Sequence, residues 1–340
     1  MFKLTRRTAV AAVAVLLSGT ALAPAVAQEW QPSDPIRIVV PWAAGGATDA
    51  IMRVLASEIT DELGTPVVVV NQTGARGTVG TKSVLDAPHD GLTWASGGVQ
   101  DLGTYAVQGL LDTRIEDWHI CLIVRNAPVL TVGPDTPFET VEDVAEYMNE
   151  NPGELTVGTS GIPSTAYSAM QAFASHVGGE FRAVSYDGDS PTMVAVVSGE
   201  VQATTQSGPG QAQMIKGGRV NPLAVLSDTA LEIEGYGEIP PVTETYPDFN
   251  APGLTIQVGV FLPRDVPDEV IERIQALWQE TVTNSEALQA YATENGSIFS
   301  PVCGEEAMEM AKDAVSETAW RMHEAGATEV SPEELGIPRP

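Results

Sequence analysis

Basic residues are scarce in this 340-residue sequence. Lys and Arg number 17 against 45 Asp and Glu, which gives a formal net charge of -28. Such a surface repels phosphate backbones and anionic lipid headgroups, so the charge excludes nucleic acid as an expected partner. With 43% hydrophobic and only 18% charged residues, the composition predicts a globular chain, and its length predicts two lobes of ordinary size.

Cysteine and histidine are also few. The two cysteines are far apart, and a disulfide between them and two buried thiols are both open interpretations. The four histidines are scattered, and no Cys or His pair has the spacing of zinc ligands, so the sequence predicts no metal site. These residues are Cys121, Cys303, His89, His119, His176 and His323.

No long apolar run interrupts the chain beyond its first 27 residues. Met1 to Ala27 contains three basic residues, an apolar stretch from Ala9 to Leu17, and small residues ending at Ala27. This order predicts a cleavable secretory signal, because the apolar stretch is well short of the ~20 residues that cross a bilayer. Arg6 and Arg7 leave both general secretory and twin-arginine export open.

The mature chain alternates short apolar runs with segments of helical periodicity. This βα alternation predicts an α/β fold with parallel or mixed sheets covered by helices. We expect one lobe from residues 28–127 plus 254–340 and a second from 128–253. Because the chain would leave the first lobe and return to it, the sequence predicts two crossings and therefore a hinge.

The segment Trp42 to Asp49 joins a predicted strand, Ile36 to Val40, to a predicted helix. Its small residues allow close backbone approach, and unpaired amides at a helix start favour an anion. A plain turn capped by Thr48 or Asp49 is the alternative interpretation.

Similar turns follow other predicted strands. They are Asn71 to Gly80, Thr159 to Thr165 and Tyr186 to Pro191. All lie at carboxyl ends of strands, where open α/β sheets bind their ligands, so the repetition strengthens the prediction of a ligand site.

Enzyme motifs are largely missing. Gly74, Gly77 and Gly80 form GxxGxxG rather than a dinucleotide fingerprint, and no glycine loop is followed by a Walker lysine. Ser160 lies outside a GxSxG elbow. No cofactor is predicted, and a hydrolase or lyase that uses Asp49, Ser160 or Asp187 remains the alternative function.

Several blocks resemble the substrate-binding proteins of tripartite tricarboxylate transporters, the Bug or TctC-like family. The blocks span the mature chain in order: Ile36-Arg-Ile-Val-Val-Pro-Trp-Ala-Ala-Gly-Gly-Ala-Thr-Asp49, Leu63-Gly-Thr-Pro-Val-Val-Val-Val-Asn71, Gly74-Ala-Arg-Gly77, Tyr186-Asp-Gly-Asp-Ser-Pro191, Ser198-Gly-Glu-Val-Gln202 and Gly259-Val-Phe-Leu-Pro263.

The resemblance implies a periplasmic, two-lobed Venus-flytrap protein rather than an enzyme. Such a protein, expected as a monomer without a cofactor, would deliver a small organic carboxylate to a large and a small membrane subunit. Presentation of the ligand to a sensor kinase is a further alternative. The implied ligand-binding residues are Trp42, Ala43, Ala44, Gly45, Gly46, Ala47, Thr48, Asp49, Gly74, Ala75, Thr159, Ser160, Gly161, Ser164, Thr165, Tyr186, Asp187, Gln206 and Ser207.

Two positions depart from the family pattern. Asp187 stands where the family commonly has lysine, and Trp42 replaces a commoner phenylalanine. The first change leaves the number of ligand carboxyl groups open. The second leaves Trp42 either to stack on an aromatic ligand or to shield the cleft.

Overall fold

The computed structural model describes residues 30–42, 44–160, 164–186 and 189–340. The predicted signal, residues 1–27, lies outside the described residues. The first part of the chain alternates strands and helices, as its periodicity predicted: β1 (Ile36–Val40), α1 (Ala47–Leu63), β2 (Val67–Asn71), α2 (Thr78–Leu85), β3 (Thr93–Gly98), α3 (Val99–Thr104) and β4 (Trp118–Asn126).

The middle part forms a second set of βα units and ends with a short hairpin. Its elements are β5 (Val129–Val132), α4 (Val141–Glu150), β6 (Thr156–Thr159), α5 (Thr165–Val177), β7 (Arg182–Ser185), α6 (Asp189–Val197), β8 (Ala203–Thr204), α7 (Gly208–Lys216), β9 (Asn221–Val225), β10 (Leu231–Ile233) and β11 (Gly237–Ile239). The last part comprises β12 (Ile256–Pro263), α8 (Asp268–Leu277), α9 (Glu286–Asn295), β13 (Ile298–Cys303) and α10 (Glu305–Glu324).

Two mixed sheets organise the molecule, which confirms the predicted α/β class. The first sheet has the strand order β13-β4-β12-β3-β1-β2, and the second has the order β7-β6-β8-β5-β9. The chain leaves the first sheet after β4 and returns to it at β12. All strands of the second sheet lie within the predicted second lobe, although the exact limits of the lobes as domains remain a prediction.

Local signals explain where several helices begin and end. Helix α1 buries Ile51, Leu55 and Ile59 on one face and ends at Gly64, which adopts the left-handed φ of 65°. Helix α4 begins with a capping box, in which Thr140 and Asp143 bond each other's backbone amides. Helix α8 ends at Leu277 and continues as a π-helical turn from Trp278 to Val282.

Each sheet carries apolar clusters on both of its faces. Trp94, Trp278 and the apolar face of α1 pack on one side of the first sheet, and Trp118 and Phe261 pack on the other with α10. Cys121 and Cys303 face each other across β4 and β13 and form a disulfide, which resolves the two interpretations left open by the sequence. In the described part of the chain, no helix combines the length and apolar character needed to cross a bilayer.

Candidate functional site

The turn between β1 and α1 is organised around the carboxylate of Asp49. Its oxygens accept hydrogen bonds from the Gly45 amide at 2.8 Å, from Arg53 at 2.8 and 3.0 Å, and from the Asn71 amide group at 3.0 Å. The Asn71 side chain also donates to the Trp42 carbonyl at 3.0 Å. This network ties the turn after β1 to the end of β2.

Asp49 is therefore a structural anion rather than a free base. The hydrogen bonds from Arg53 lower its pKa to about 2, with further lowering by Gly45 and Asn71, although burial opposes the shift. The alternative interpretation, a plain turn capped by Thr48 or Asp49, is wrong, because Gly46 is the N-cap of α1 and no side chain caps it. The first amides of α1 thus lack a side-chain partner beside exposed Gly45 and Gly46.

The turn after β2 has an unusual backbone. Gly74, Ala75, Arg76 and Gly77 have φ values of 131°, 44°, 58° and 92° in succession. A Cβ built on Gly77 would lie 2.6 Å from the Tyr105 hydroxyl oxygen. Glycine at this position therefore permits both the left-handed backbone and a close approach to neighbouring side chains.

Trp42 packs between the turns that follow β2 and β3. Ring atoms of the indole lie 3.4 Å from the Cβ position of Gly77 and 3.8 Å from that of Gly97. The side chain is half-buried and contacts the core on the α1 side of the first sheet. Trp42 therefore braces the two turns, and its roles in shielding the cleft or stacking on an aromatic ligand stay predictions.

The second sheet contributes polar side chains from the ends of β6 and β8. The Ser160 hydroxyl donates to Gln206 Oε1 at 3.4 Å and also hydrogen-bonds Asp189. Burial raises the pKa of Asp189, and Ser160 partly opposes that shift. Gln206 is only 3% exposed, and its Nε2 has no hydrogen-bond partner among the described residues; the same holds for the buried Thr159 hydroxyl.

Tyr186 and Ser207 occupy different environments at the end of the second sheet. The Tyr186 hydroxyl donates to Glu200 at 2.9 Å, and burial together with that carboxylate raises its pKa to about 12. Its ring packs against an apolar cluster of the second lobe. Ser207 is the N-cap of α7 without a capping hydrogen bond from its side chain. Ala43, Gly161 and Asp187 lie outside the described residues.

A cavity between the two sheets is lined by two of the predicted site residues, Ser164 and Thr165, and by Arg76 of the turn after β2. The other predicted site residues in the described part of the chain do not line it. Ser164, Thr165 and Ser168, at the start of α5, form its wall on the second lobe. Ser164 caps α5 by accepting from the Tyr167 amide at 3.2 Å. The opposite wall comes from the first lobe and the returning crossing, with Arg76, Gln100, Asp101, Thr104, Gln108, Gly253, Ile256, Thr318, Arg321 and Met322.

The returning crossing is held from two sides beside this cavity. The Gly253 amide donates to Glu317 at 2.6 Å, and its carbonyl accepts from Arg321 at 3.2 Å. The Gln100 side chain donates to the Thr255 carbonyl at 2.6 Å. Burial lowers the pKa of Arg321 and raises that of Glu317, and their opposite charges oppose both shifts.

Arg76 and Asp101 were not among the predicted site residues. A signal for Asp101 was present, because Gly97-Gly98-Val-Gln-Asp101 after β3 repeats the pattern Gly45-Gly46-Ala-Thr-Asp49 after β1. Asp101 is exposed at the edge of the cleft, where partial desolvation of its carboxyl raises the pKa to about 6, while the Arg76 charge lowers it. Within the described residues, no group of three His, Cys, Asp or Glu side chains is placed to hold a metal ion.

Two α/β lobes with a polar cavity at the carboxyl ends of their strands define the class of two-lobed solute-binding proteins. The model for the tripartite tricarboxylate transporter family receptor, TctC, matches residues 51–321. The chain belongs to this family. It is 30% identical over 265 residues to the "UPF0065 protein in tcbD-tcbE intergenic region" of Pseudomonas sp., which covers 76% of this chain and 77% of that relative.

Solved structures agree with this assignment. A TctC solute binding protein from Polaromonas superposes with a TM-score of 0.70 at 26% identity, covering 84% of this chain and 97% of the other. A protein from R. palustris with adipate superposes with a TM-score of 0.65 at 23% identity, covering 88% and 99%. The second likeness is one of fold.

Proposed function

We propose that this protein captures a small organic carboxylate between its two lobes and delivers it to a tripartite tricarboxylate-type transporter. The observation that carries the proposal is the cavity in which Arg76 and Asp101 of the first lobe face Ser164 and Thr165 of the second. The family assignment supports a solute-binding role, and the R. palustris protein of the same fold was solved with a dicarboxylate, adipate.

The loops supply features that suit an anion. Helix α1 begins at exposed Gly46 without a side-chain cap, and its first amides carry the partial positive charge of a helix start. Asp49 fixes this turn but is itself saturated by donors, so its negative charge is largely compensated. Backbone amides of Ala44 to Thr48 and of Gly74 and Ala75 are the proposed partners of one carboxylate. Ser160, Ser164 and Thr165 are the proposed partners from the second lobe.

Binding without turnover fits the site better than hydrolysis. Asp49 has a pKa of about 2 and four hydrogen-bonded donor contacts, which leave it a poor general base. Ser160 hydrogen-bonds Gln206 and Asp189 rather than a histidine. We therefore propose a non-enzymatic role without a cofactor.

Delivery requires partners beyond the chain itself. We propose that the protein acts as a monomer in the periplasm and docks on the large and small membrane subunits of the transporter. Export would follow cleavage of the predicted signal after Ala27. Uptake of labelled carboxylate by cells that contain both membrane subunits should depend on this protein; uptake that is unchanged in its absence would refute the delivery step.

Thermal unfolding against a panel of mono- and dicarboxylates tests the binding step. At a concentration 100 times the Kd, a ligand stabilises the folded state by about 2.7 kcal/mol and raises the Tm. Mass spectrometry of the incubated ligand should show no product. If every carboxylate leaves the Tm unchanged, or if one is converted to product, the proposed function is wrong.

A matched pair of variants locates the site. Gly46→Leu places a branched side chain over the first amides of α1, and we expect it to abolish the Tm increase while the unliganded protein remains folded. Ser57→Leu adds an apolar side chain at an exposed position on the same helix and should leave the Tm increase unchanged. If Gly46→Leu binds the ligand with full affinity, the turn between β1 and α1 is not part of the ligand site.

A further inference from the structure

The two lobes touch through the end of helix α9 and the start of helix α7. Gly296 is the C-cap of α9 in the first lobe, and Gly208 is the first residue of α7 in the second. A Cβ built on Gly208 would lie 2.0 Å from the Gly296 carbonyl oxygen, and one built on Gly296 would lie 3.1 Å from the Gly208 carbonyl oxygen. Both residues are buried, so the two backbones are in direct contact at a place where a side chain has no room.

Hydrogen bonds attach both glycines to the outgoing crossing, where the chain passes from β4 to β5. The Gly208 amide donates to the Ala127 carbonyl at 3.0 Å. On the other side of the contact, the hydroxyl of Ser297, next to Gly296, donates to the Asn126 side-chain oxygen at 2.7 Å. The contact therefore lies beside a covalent connection between the lobes, where a rotation of one lobe against the other displaces atoms least.

Two further contacts join this end of α9 to the second lobe. The Glu234 amide, in the turn of the β10–β11 hairpin, donates to the Thr293 carbonyl at 3.0 Å. The Ile298 side chain, at the start of β13, packs against an apolar cluster formed by α6, α7 and strands β5 and β9–β11. The far end of β13 is bonded to β4 through the disulfide between Cys121 and Cys303. Residues 293–298 thus belong to the first lobe and hold the second.

The segment 293–298 has the position and the attachments of a pivot. Movement of the lobes about their crossings either breaks the contact between Gly208 and Gly296 or turns about it. Two glycine backbones can turn against each other because they have no side chains that interlock. We propose that this contact is the pivot on which the lobes turn, and that the spacing of its two backbones sets the preferred arrangement of the lobes. The device rests on the proposed function, which uses this movement to enclose a ligand.

Spin labels on both lobes test the pivot in the unliganded protein. Lys82→Cys on α2 and Ser175→Cys on α5 are exposed positions of the first and second lobe, and double electron–electron resonance measures the distance between their labels. Gly208→Ala introduces a Cβ that must move more than about 1 Å from the Gly296 oxygen to reach van der Waals contact. Because a small displacement at a hinge is amplified away from its axis, we expect the mean label distance to shift by about 3 Å or more.

Gly217→Ala is the matched control for this substitution. It adds the same methyl group at the other end of α7, where the nearest neighbour of the Cβ position is the Gln213 carbonyl oxygen at 3.3 Å, within the second lobe. The label distance should remain that of the wild type. If Gly208→Ala is folded, as judged by its unliganded Tm, and also gives the wild-type distance, the pivot is refuted.

A second variant tests the joint without adding atoms to the glycine contact. The Tyr236 amide donates to the Ile233 carbonyl at 2.9 Å and Gly235 has a φ of 82°, as in a type II turn with Glu234 at its second position. Proline is favoured at that position, so Glu234→Pro removes the donor to Thr293 and keeps the hairpin. We expect Glu234→Pro to broaden the distribution of label distances, whereas Glu234→Ala, which retains the amide, should not. Should Gly208→Ala fail to fold, an unchanged distribution in Glu234→Pro overturns the pivot.

The outcomes separate this device from the proposed function, because the label distances are measured without a ligand. If a carboxylate raises the Tm of the wild type but folded Gly208→Ala keeps the wild-type label distance, the proposed function stands and the pivot is wrong. If Gly208→Ala shifts the label distance but every carboxylate leaves the Tm unchanged, the pivot stands and the proposed function is wrong.

Discussion

Asn71 Nδ2 lies 3.0 Å from both Asp49 Oδ1 and the Trp42 carbonyl oxygen and donates a hydrogen bond to each. One amide group thereby connects the end of β2 to the turn after β1. We expect Asn71→Leu, which keeps the shape but removes both donors, to reduce the free energy of unfolding by about 1–3 kcal/mol and to weaken ligand binding.

Asn149→Leu is the matched control for this bridge. The Asn149 amide likewise donates to two carbonyls, those of Ala145 and Val177, but within the second lobe. Urea unfolding should show a loss of stability for both variants, whereas calorimetry should show a weaker ligand Kd for Asn71→Leu alone. An unchanged Kd in Asn71→Leu would mean that the bridge stabilises the lobe without shaping the site.

Acid should remove the stabilisation that comes from Asp49. Its pKa is 3.8 in the unfolded reference and about 2 in the folded protein. Between these values the unfolded state binds more protons, so the contribution is complete above about pH 4 and is lost as the pH falls through about 2. In urea unfolding from pH 5 to pH 2, the stability difference between wild type and Asp49→Asn should shrink with acid; a constant difference contradicts this assignment.

The sequence predicted the framework of the fold because its signals are local. The apolar periodicity of α1, the cap at Thr140 and the strand Ile36 to Val40 each depend on neighbouring residues alone. The short hairpin β10–β11 and the edge strand β13 were not predicted, since long-range pairing decides such short segments. The disulfide also joins residues too distant in sequence to be paired by pattern.

The site was harder to predict from the sequence than the fold. Glycine-rich turns marked the loops, and the structure places Ser164 and Thr165 in the cavity between the lobes. What the sequence did not reveal was how the charge of Asp49 is compensated. Arg53 lies one helical turn after Asp49, at i+4 on α1, whereas the tertiary structure brings Asn71 beside it. For Tyr186, the partner Glu200 likewise depends on packing within the second lobe.

Gly77 is expected to tolerate no side chain. Gly77→Ala introduces a Cβ 2.6 Å from the Tyr105 hydroxyl at a φ of 92°, so steric overlap adds to backbone strain. Gly64→Ala introduces only the strain, because its Cβ position has no neighbour within 4 Å and its φ is 65°. We expect Gly64→Ala to destabilise by about 1–2 kcal/mol and Gly77→Ala by about 1–3 kcal/mol more.

Removal of the Tyr105 hydroxyl should separate the two effects at Gly77. The double variant Gly77→Ala with Tyr105→Phe should regain part of the lost stability in urea unfolding, after correction for Tyr105→Phe alone. If the double variant shows no recovery, the overlap with the hydroxyl is not what makes the alanine unfavourable.

Reduction of the disulfide should lower the stability of the folded protein, because it removes the covalent link between β13 and β4. The disulfide between Cys121 and Cys303 closes a loop with a sequence separation of 182 residues, and loss of a native disulfide typically removes about 2–5 kcal/mol of stability. We expect dithiothreitol to lower the Tm of the wild type but not of the Cys121→Ser and Cys303→Ser double variant. A wild-type Tm that is insensitive to reduction would show that β13 is held by its other contacts.

The strand order of the first sheet also sets when this lobe can form. β12 lies between β3 and β4, so the sheet remains split into two unjoined pieces until the chain up to residue 263 is free to fold. The second sheet needs no residue beyond 225 and is contiguous in the chain. The lobe that comes later in the sequence can therefore be completed first, because its strands are closer together along the chain.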